Sequence, residues 1–433
     1  MLRTIDLRGR AVEPDDLLAA VPRAAAARDE ALATAAAIVA DVADRGADAL
    51  REQASRFDGV DGHEIRVPAA HLDEALASLD AGVCAALEKA IDRVRHASAA
   101  QVPAPIVTEV APGARIEQRW RPVRRVGVYV PGGKAVYPSS VVMNVVPAQV
   151  AGVAEVALSS PPQRDHGGRV HPVILAAAKL LGVTEVYAMG GAGAIGAYAH
   201  GVGELALAPV DVISGPGNNF VALAKRVVAG MVGTDSEAGA TEILVVADES
   251  ADADLVAADL VSQAEHDEQA AAVLVTASEP LARAVSAAVE VRARATLHAD
   301  RVAISLAGPQ SAIVLVDDLE TATAFSNAYA PEHLELHVSD PRPDDFVNAG
   351  AVFVGPWTPV SLGDYLAGSN HVLPTGGQAR YAAGLSASTF LRPQQVITYD
   401  RDALAVVRDE IVTLSSAEVL PAHGEAVTAR FDA

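Results

Sequence analysis

The spacing of apolar and polar positions changes character twice along the chain. Over residues 24–43 the chain is alanine-rich with Val39 and Val42 at helical spacing, and over 80–94 Val83, Leu87, Ile91 and Val94 fall on one helical stripe. The first hundred or so residues therefore predict helices. From Val123 onward the apolar runs shorten to strand length, at 126–130, 155–159, 185–189, 210–214, Glu242–Ala247, Ala271–Thr276, 312–316 and Ala351–Val354. Helical patterns such as 171–181 and 218–231 separate most of them, the alternation of βαβ units in a parallel sheet. In such sheets ligands bind beyond the carboxyl ends of the strands, so the loops after these runs are where chemistry is expected. Beyond Pro393 come a strand-like 396–399 and one amphipathic helix over 402–418. That tail is too small to bury a core alone and has to dock on something else.

Composition narrows the picture. The 433 residues suggest two or three domains, and 51% apolar with 20% charged residues is a globular composition. A formal net charge of -22 argues against a nucleic-acid or anionic-membrane partner. The single cysteine, Cys84, lies beside the 80–94 stripe; it rules out an intramolecular disulfide framework and fits a reducing compartment. The N-terminus has no signal-type apolar run, and Asn144, Pro147, Gln149 and Glu155 interrupt the longest membrane candidate. A cytoplasmic protein is expected.

Two loops have the makings of nucleotide sites. Gly190-Gly-Ala-Gly193-Ala-Ile-Gly196 follows a strand and opens a helix, and from Gly191 it spells the G-x-G-x-x-G pattern. Amides at a helix N-terminus hold a pyrophosphate well, although the same glycines can simply pack helix on strand. Asp211 stands at about the usual separation for a ribose contact but precedes its strand instead of ending it. The second loop, Gly215-Pro-Gly-Asn218, offers an amide able to donate and accept.

Acid–base and metal candidates lie elsewhere. Asp252 or Asp254 can cap a helix on which Gln263 and His266 stand three apart on one face, half of a site that zinc accepts. The same pair also suits an exposed polar turn. Glu332 and His333 place a carboxylate beside an imidazole after Pro331, a pairing suited to proton movement or to an ordinary surface turn. Asp364 and His371 sit in the glycine-rich segment 362–377, and Glu418 and His423 lie five apart on the tail. His63, His71, His96, His166, His171, His200, His298 and His337 join no such group and are read as structural.

Six stretches in order resemble one family: Ala238-Gly-Ala-Thr-Glu-Ile-Leu-Val-Val-Ala-Asp248, Ser262-Gln-Ala-Glu-His266, Ala330-Pro-Glu-His-Leu334, Gly363-Asp-Tyr365, Gly368-Ser-Asn-His-Val-Leu-Pro-Thr375 and Leu420-Pro-Ala-His-Gly424. The resemblance, to histidinol dehydrogenases, runs nearly end to end. It implies a zinc- and NAD-dependent oxidation of L-histidinol to L-histidine in two steps. It places one zinc per subunit on Gln263, His266, Asp364 and His423. By the same resemblance His333 is the base for the alcohol proton and Glu332 activates water. Thr241, His371 and Glu418 then hold the substrate together with the zinc ligands and His333, and Tyr129, Gly193 and Asn218 lie at NAD. It implies a homodimer in which Glu418 and His423 complete the partner's site.

The implied fold is α/β, with two Rossmann-like parallel-sheet domains, a small helical N-terminal segment and a C-terminal tail exchanged across the dimer. Its expected boundaries are 1–25 for the N-terminal segment, 26–128 plus 243–385 for the larger domain, 129–242 for the NAD-side domain and 386–433 for the tail. Two departures stand out: Gly193 where the family has glutamine, predicting weaker NAD binding, and Ala240 where it has proline. A paralogue acting on another alcohol, or a zinc hydrolase without nucleotide, are the rival readings. The first should lack His371 and Glu418, and the second leaves Gly215-Pro-Gly-Asn218 unexplained.

Overall fold

The computed structural model describes residues 2–10, 19–23, 28–132, 135–236 and 239–431. Residues 24–27 of the first expected helix, Gly133 and Lys134 shortly after the 126–130 run, and Ala238 at the start of the first family-like stretch lie outside these. The chain forms two compact units, Met1–Gln101 with Val123–Phe390, and Val102–Pro122 with Leu391–Ala433.

The first unit holds two parallel sheets. The larger is built from β1 (Arg3–Asp6), β9 (Glu242–Ala247), β10 (Ala271–Thr276), β11 (Ala312–Leu315), β12 (His333–His337) and β13 (Ala351–Val354), in the order β1-β11-β10-β9-β12-β13. The smaller is built from β4 (Arg125–Tyr129), β5 (Glu155–Ser160), β6 (Glu185–Ala188), β7 (Val212–Ser214) and β8 (Gly233–Thr234), in the order β6-β5-β4-β7-β8. Every pairing in both is parallel. Strands β9 and β10 are buried along their whole length, so both faces need apolar side chains, which is why they read as continuous runs.

Ile243, Val245 and Ala247 face a core shared with the helices Ala253–Ala264 and Glu279–Ala295, while Leu244 and Val246 face Phe325 and Tyr329 of the helix Leu319–Tyr329. Of the helices expected over the first hundred residues, Arg28–Arg45 and Ala47–Gln53 share a core with the smaller sheet, placing Val39, Val42 and Leu50 among Tyr129, Tyr187, Ile195 and Tyr198. The expectation of helices alone before residue 100 is corrected by β1, which pairs with β11 and whose alternating polar sequence gave no apolar run.

The second unit is a three-stranded antiparallel sheet, β14 (Leu391–Tyr399), β3 (Ala114–Pro122) and β2 (Ile106–Ala111), followed by three helices. The expected single helix over 402–418 is instead two, Arg401–Val406 and Arg408–Ala417, broken at Val407; Pro421–Thr428 follows. The bend before the last helix puts Val419 in the left-handed region at φ 59, unusual for a β-branched residue, with Leu420 N donating to Ser415 O at 2.7 Å. Val406, Leu414, Val419 and Ile397 are all more than half exposed. Each forgoes about 1.5–3 kcal/mol of burial, more than so small a unit can spare. Among the described residues no helix is long and apolar enough to cross a membrane.

Candidate active site

In the larger sheet β9 and β12 lie side by side with His333 opposite Ile243, so the residues just before the two strands meet at their amino ends. Those residues are Thr241 and Glu332. Glu332 Oε2 accepts from Thr241 Oγ1 at 2.6 Å and from Glu242 N at 2.9 Å. Thr241 Oγ1 in turn accepts from Gln263 Nε2 at 2.6 Å. Gln263 closes the helix Ala253–Ala264, capped by Asp252, and His266 follows in the next turn, its N–H on Gln263 O at 3.3 Å. His266 lies past the helix end, so regular helical spacing does not carry the expected one-face pairing to it.

His333 opens β12 and is buried with Glu332, so the surface-turn alternative does not apply. His333 Nδ1 sits 3.0 Å from the Glu242 carbonyl oxygen; a carbonyl only accepts, so Nδ1 carries a proton and, in the neutral ring, the lone pair is on Nε2. Glu332 Oε2 is 3.6 Å from the same ring. Burial pushes the Glu332 carboxyl up to about 7, against the lowering effects of His333, Thr241 and the Glu242 amide. A carboxyl poised there can take a proton near neutrality. The neighbouring Glu242 is neutralised by Arg23, whose Nε donates at 2.5 Å and whose guanidinium lies 4.0 Å over the Tyr329 ring.

His371 closes the other side. Its Nδ1 lies 3.0 Å from the Asp364 carbonyl and 3.8 Å from Asp364 Oδ1, and its Nε2 is 3.3 Å from Ser140 Oγ. Asn370 Nδ2 donates to Met143 O at 2.6 Å, so this loop is tied to the helix Pro138–Ala151. Burial lowers both His371 and His266 below the ordinary imidazole value, with Asp364 opposing in each case and His333 adding to the lowering. Neutral imidazole is the form that ligates a metal. Gln263 has spent its amide nitrogen on Thr241, which leaves the oxygen to present. Amide oxygen, imidazole and carboxylate make a donor set that fits zinc or a similar divalent ion.

A second group of possible ligands lies deeper. Asp259, Glu335 and His337 form, among the described residues, the group of three whose ligand atoms all come within 4.8 Å of one another. Asp259 is one helical turn before Gln263, and His337 is four residues beyond His333 on the same strand face, so this group is not the Gln263 set. The sequence had left His337 as structural and gave no role to Glu335. The only available signal was the polar period of two, His333, Glu335, His337, within an apolar strand.

The two glycine loops sit where the strand-end rule expects them, at the carboxyl ends of strands β6 and β7 of the smaller sheet. Gly191 N, at the start of the helix Gly191–His200, donates to Tyr129 Oη at 3.2 Å, and burial pushes the Tyr129 phenol up to about 12. Gly193 is buried against the helix Ala47–Gln53: a Cβ there would lie 1.9 Å from Gln53 Oε1. Asn218 caps the helix Asn219–Val228, its Oδ1 accepting from Phe220 N at 3.0 Å and Val221 N at 3.2 Å, so only its amide hydrogens remain to offer. Asp211 is consumed by the backbone amides of Arg124 and Arg125. Gly215, at φ 119 with Tyr129 O where a Cβ would go, is held by Asp235, which is itself paired with the buried Lys225.

The expectation that all the chemistry lies at carboxyl ends is thus corrected for the larger sheet, whose titratable groups gather at the amino ends of β9 and β12. Glu418 and His423 lie in the second unit, both exposed, on either side of the strained Val419.

Residues 21–431 match the sequence pattern of the family described as Histidinol dehydrogenase. The chain is 63% identical over 433 residues to the histidinol dehydrogenase of Leifsonia xyli subsp. xyli, covering 100% of this chain and 99% of that protein. It is 54% identical over 437 residues to that of Mycobacterium tuberculosis, covering 100% and 98%. The crystal structure of the histidinol dehydrogenase from Elizabethkingia anophelis superposes with a TM-score of 0.93 at 31% identity, over 100% of this chain and 98% of that one.

Proposed function

The chain belongs to the histidinol dehydrogenase family, and from that premise we propose how its own residues carry out the oxidation of L-histidinol to L-histidine with zinc and NAD. Gln263, His266 and Asp364 would hold the metal, with His423 as fourth ligand; when bound, it would orient the imidazole and amine of the substrate. NAD, when bound, would accept the carbinol hydride, and His333 Nε2 takes the alcohol proton as the aldehyde forms. Glu332 then takes a proton from the water that adds to the aldehyde carbon, while protonated His333 returns its proton to the carbonyl oxygen. His333 next takes a hydroxyl proton of the hydrate as the acid forms, and a second NAD, when bound, would accept the second hydride. Thr241, His371 and Glu418 hold the substrate, and Tyr129, Gly193 and Asn218 border the cofactor.

The observation that carries this reading is the buried chain Gln263–Thr241–Glu332 beside His333. Its support is that a candidate metal ligand, a candidate substrate contact and one candidate proton acceptor share one hydrogen-bonded chain, with a second candidate acceptor 3.6 Å away. A water-activating carboxyl also suits a protein whose one cysteine, Cys84, stands on the helix Ala81–Ala99. Purified protein given L-histidinol, NAD and zinc should yield two NADH per histidinol, lost on chelation and restored by zinc. Turnover without NADH would point to a hydrolase instead.

We further read the second unit, which joins residues 102–122 to 391–433 of the expected tail 386–433, as the part exchanged across a homodimer, supported by its exposed apolar side chains. Glu418 and His423 then act on the partner's site. Mixing refolded His266→Ala and His423→Ala chains should restore roughly a quarter of wild-type activity, because one site of each mixed dimer is intact. Recovery of none would mean that His423 works within its own chain or not at all.

A further inference from the structure

The buried group behind the candidate site is placed to do one thing well. Glu335 has no solvent exposure; its Oε1 accepts from Val360 N at 2.9 Å, and its Oε2 makes no hydrogen bond but faces His337 Nε2 at 3.4 Å. His337 Nε2 is also 4.0 Å from Asp259 Oδ2. Val360 is the first residue of the short helix Val360–Tyr365, which carries Asp364. Asp259 stands one turn before Gln263 on the helix that leads to His266, and Glu335 and His337 share the β12 face with His333. One buried cluster therefore touches the three elements that carry Asp364, Gln263 and His333.

We propose that Glu335, with Asp259 and His337 as its partners, is a positioning residue that holds Asp364 in register with Gln263 and His266 for metal binding. The inference rests on the reading of those three residues as ligands. Three further facts support it. A carboxylate bonded to a helix's first amide fixes both the height and the direction of that helix, and Asp364 is only four residues further on. The cluster has little freedom, since Leu334 and Leu336 on the opposite face of the strand are packed in the other core. The carboxyl of Asp259 is pushed up to about 7 by burial and by Glu335, with His337 opposing, so the three side chains lie close enough to act on one another. Outer partners of metal ligands typically change affinity by roughly 10–100-fold when removed.

The test is zinc affinity of the full-length protein, measured by competition with a chromogenic chelator, alongside Tm and zinc content. Glu335→Ala should bind zinc roughly 10–100-fold more weakly. Glu335→Gln, whose amide oxygen still accepts from Val360 N, should recover to within a few-fold. Leu336→Ala on the opposite face of the strand is the control for general destabilisation: it should lower Tm and leave zinc affinity alone. If Glu335→Ala weakens binding no more than Leu336→Ala does, the cluster is merely structural and the proposal is wrong. If wild type holds two zinc equivalents and His337→Ala loses one, the cluster is itself a metal site and the proposal is also wrong. A wild-type protein that binds no zinc removes the ligand reading beneath it, an outcome distinct from zinc bound with unchanged affinity in Glu335→Ala.

Discussion

The amino ends of β9 and β12 and the carboxyl ends of the smaller sheet use one architecture for opposite ends. At the first, carboxyl and imidazole groups are buried and hydrogen-bonded to their neighbours: Glu332 to Thr241, Thr241 to Gln263, His371 to the Asp364 backbone. At the second, the charged groups are spent on the scaffold. Asp211 holds two backbone amides, and Lys225 and Asp235 pin the Gly215 loop. What is left to face a ligand there is backbone, a tyrosine and an amide cap. Moving protons needs side chains whose charge is held poised by burial, whereas gripping an extended cofactor needs open backbone on a rigid edge.

The largest test of this contrast is Glu332→Gln. Glutamine keeps the volume and an acceptor for Thr241 but cannot take a proton from water. Steady-state NADH formation should fall by ~10²–10⁴-fold, the usual worth of a general base. The first hydride should survive, so a single-turnover trace should stop near one NADH per histidinol. Two NADH at the wild-type rate would remove Glu332 from the second step.

On the cofactor side the matching break is Lys225→Ala. Lys225 is 1% exposed and Asp235 is 3% exposed, and they pair at 2.5 Å. Removing the lysine leaves a buried carboxylate alone, a loss of about 3–5 kcal/mol. Urea unfolding should report that loss, and NAD should bind more weakly because the Gly215 loop is no longer pinned. The pH dependence of kcat should stay where it was. A shifted pH profile would mean that the two regions are not separable in the way described.

The two regions also differ in how legible they were. The glycine loops announced themselves because strand, loop and helix follow one another in sequence, so position along the chain gives position in space. The proton-moving group is assembled from segments almost a hundred residues apart, and Thr241 touches Glu332 only because β9 and β12 are neighbours, out of chain order. No local pattern encodes that adjacency; the family resemblance supplied it. The same holds for β1, whose partner β11 is more than three hundred residues away, and for the β2–β3 hairpin, whose β2 is exposed throughout and shows no buried alternation. What periodicity did carry was the set of strands buried on both faces, such as β9 and β10.

A smaller effect follows from the Glu332 carboxyl in the metal-free protein. Its folded pKa is raised to about 7 from an ordinary 4.5. Between those values the folded protein keeps a proton that the unfolded chain has released, so stability falls as pH rises through that window and is flat on either side. At about 1.4 kcal/mol per unit the total is on the order of 3 kcal/mol. Other buried carboxyls titrate too, so the measurement is the difference between wild type and Glu332→Gln in urea unfolding from pH 4 to 8. That difference should grow in favour of the glutamine variant. A constant difference would mean that Glu332 is ionised throughout and is not held poised by burial.

The smallest effect concerns Gly193, and here the geometry alters an expectation. A Cβ at that position meets Gln53 Oε1 at 1.9 Å and Leu50 Cδ2 at 3.3 Å. The first is the far end of a flexible side chain and can swing aside, while alanine favours the helix by up to about 1 kcal/mol over glycine. Gly193→Ala should therefore change stability by no more than about 1 kcal/mol in either direction. Glutamine at 193, the residue the family has there, needs the same slot that Gln53 occupies. Gly193→Gln alone should then leave the NAD Michaelis constant close to wild type, and Gly193→Gln with Gln53→Ala should lower it, because only the double variant has room for the longer side chain. Equal constants in both would separate position 193 from the cofactor altogether and leave its glycine as a packing residue between two helices.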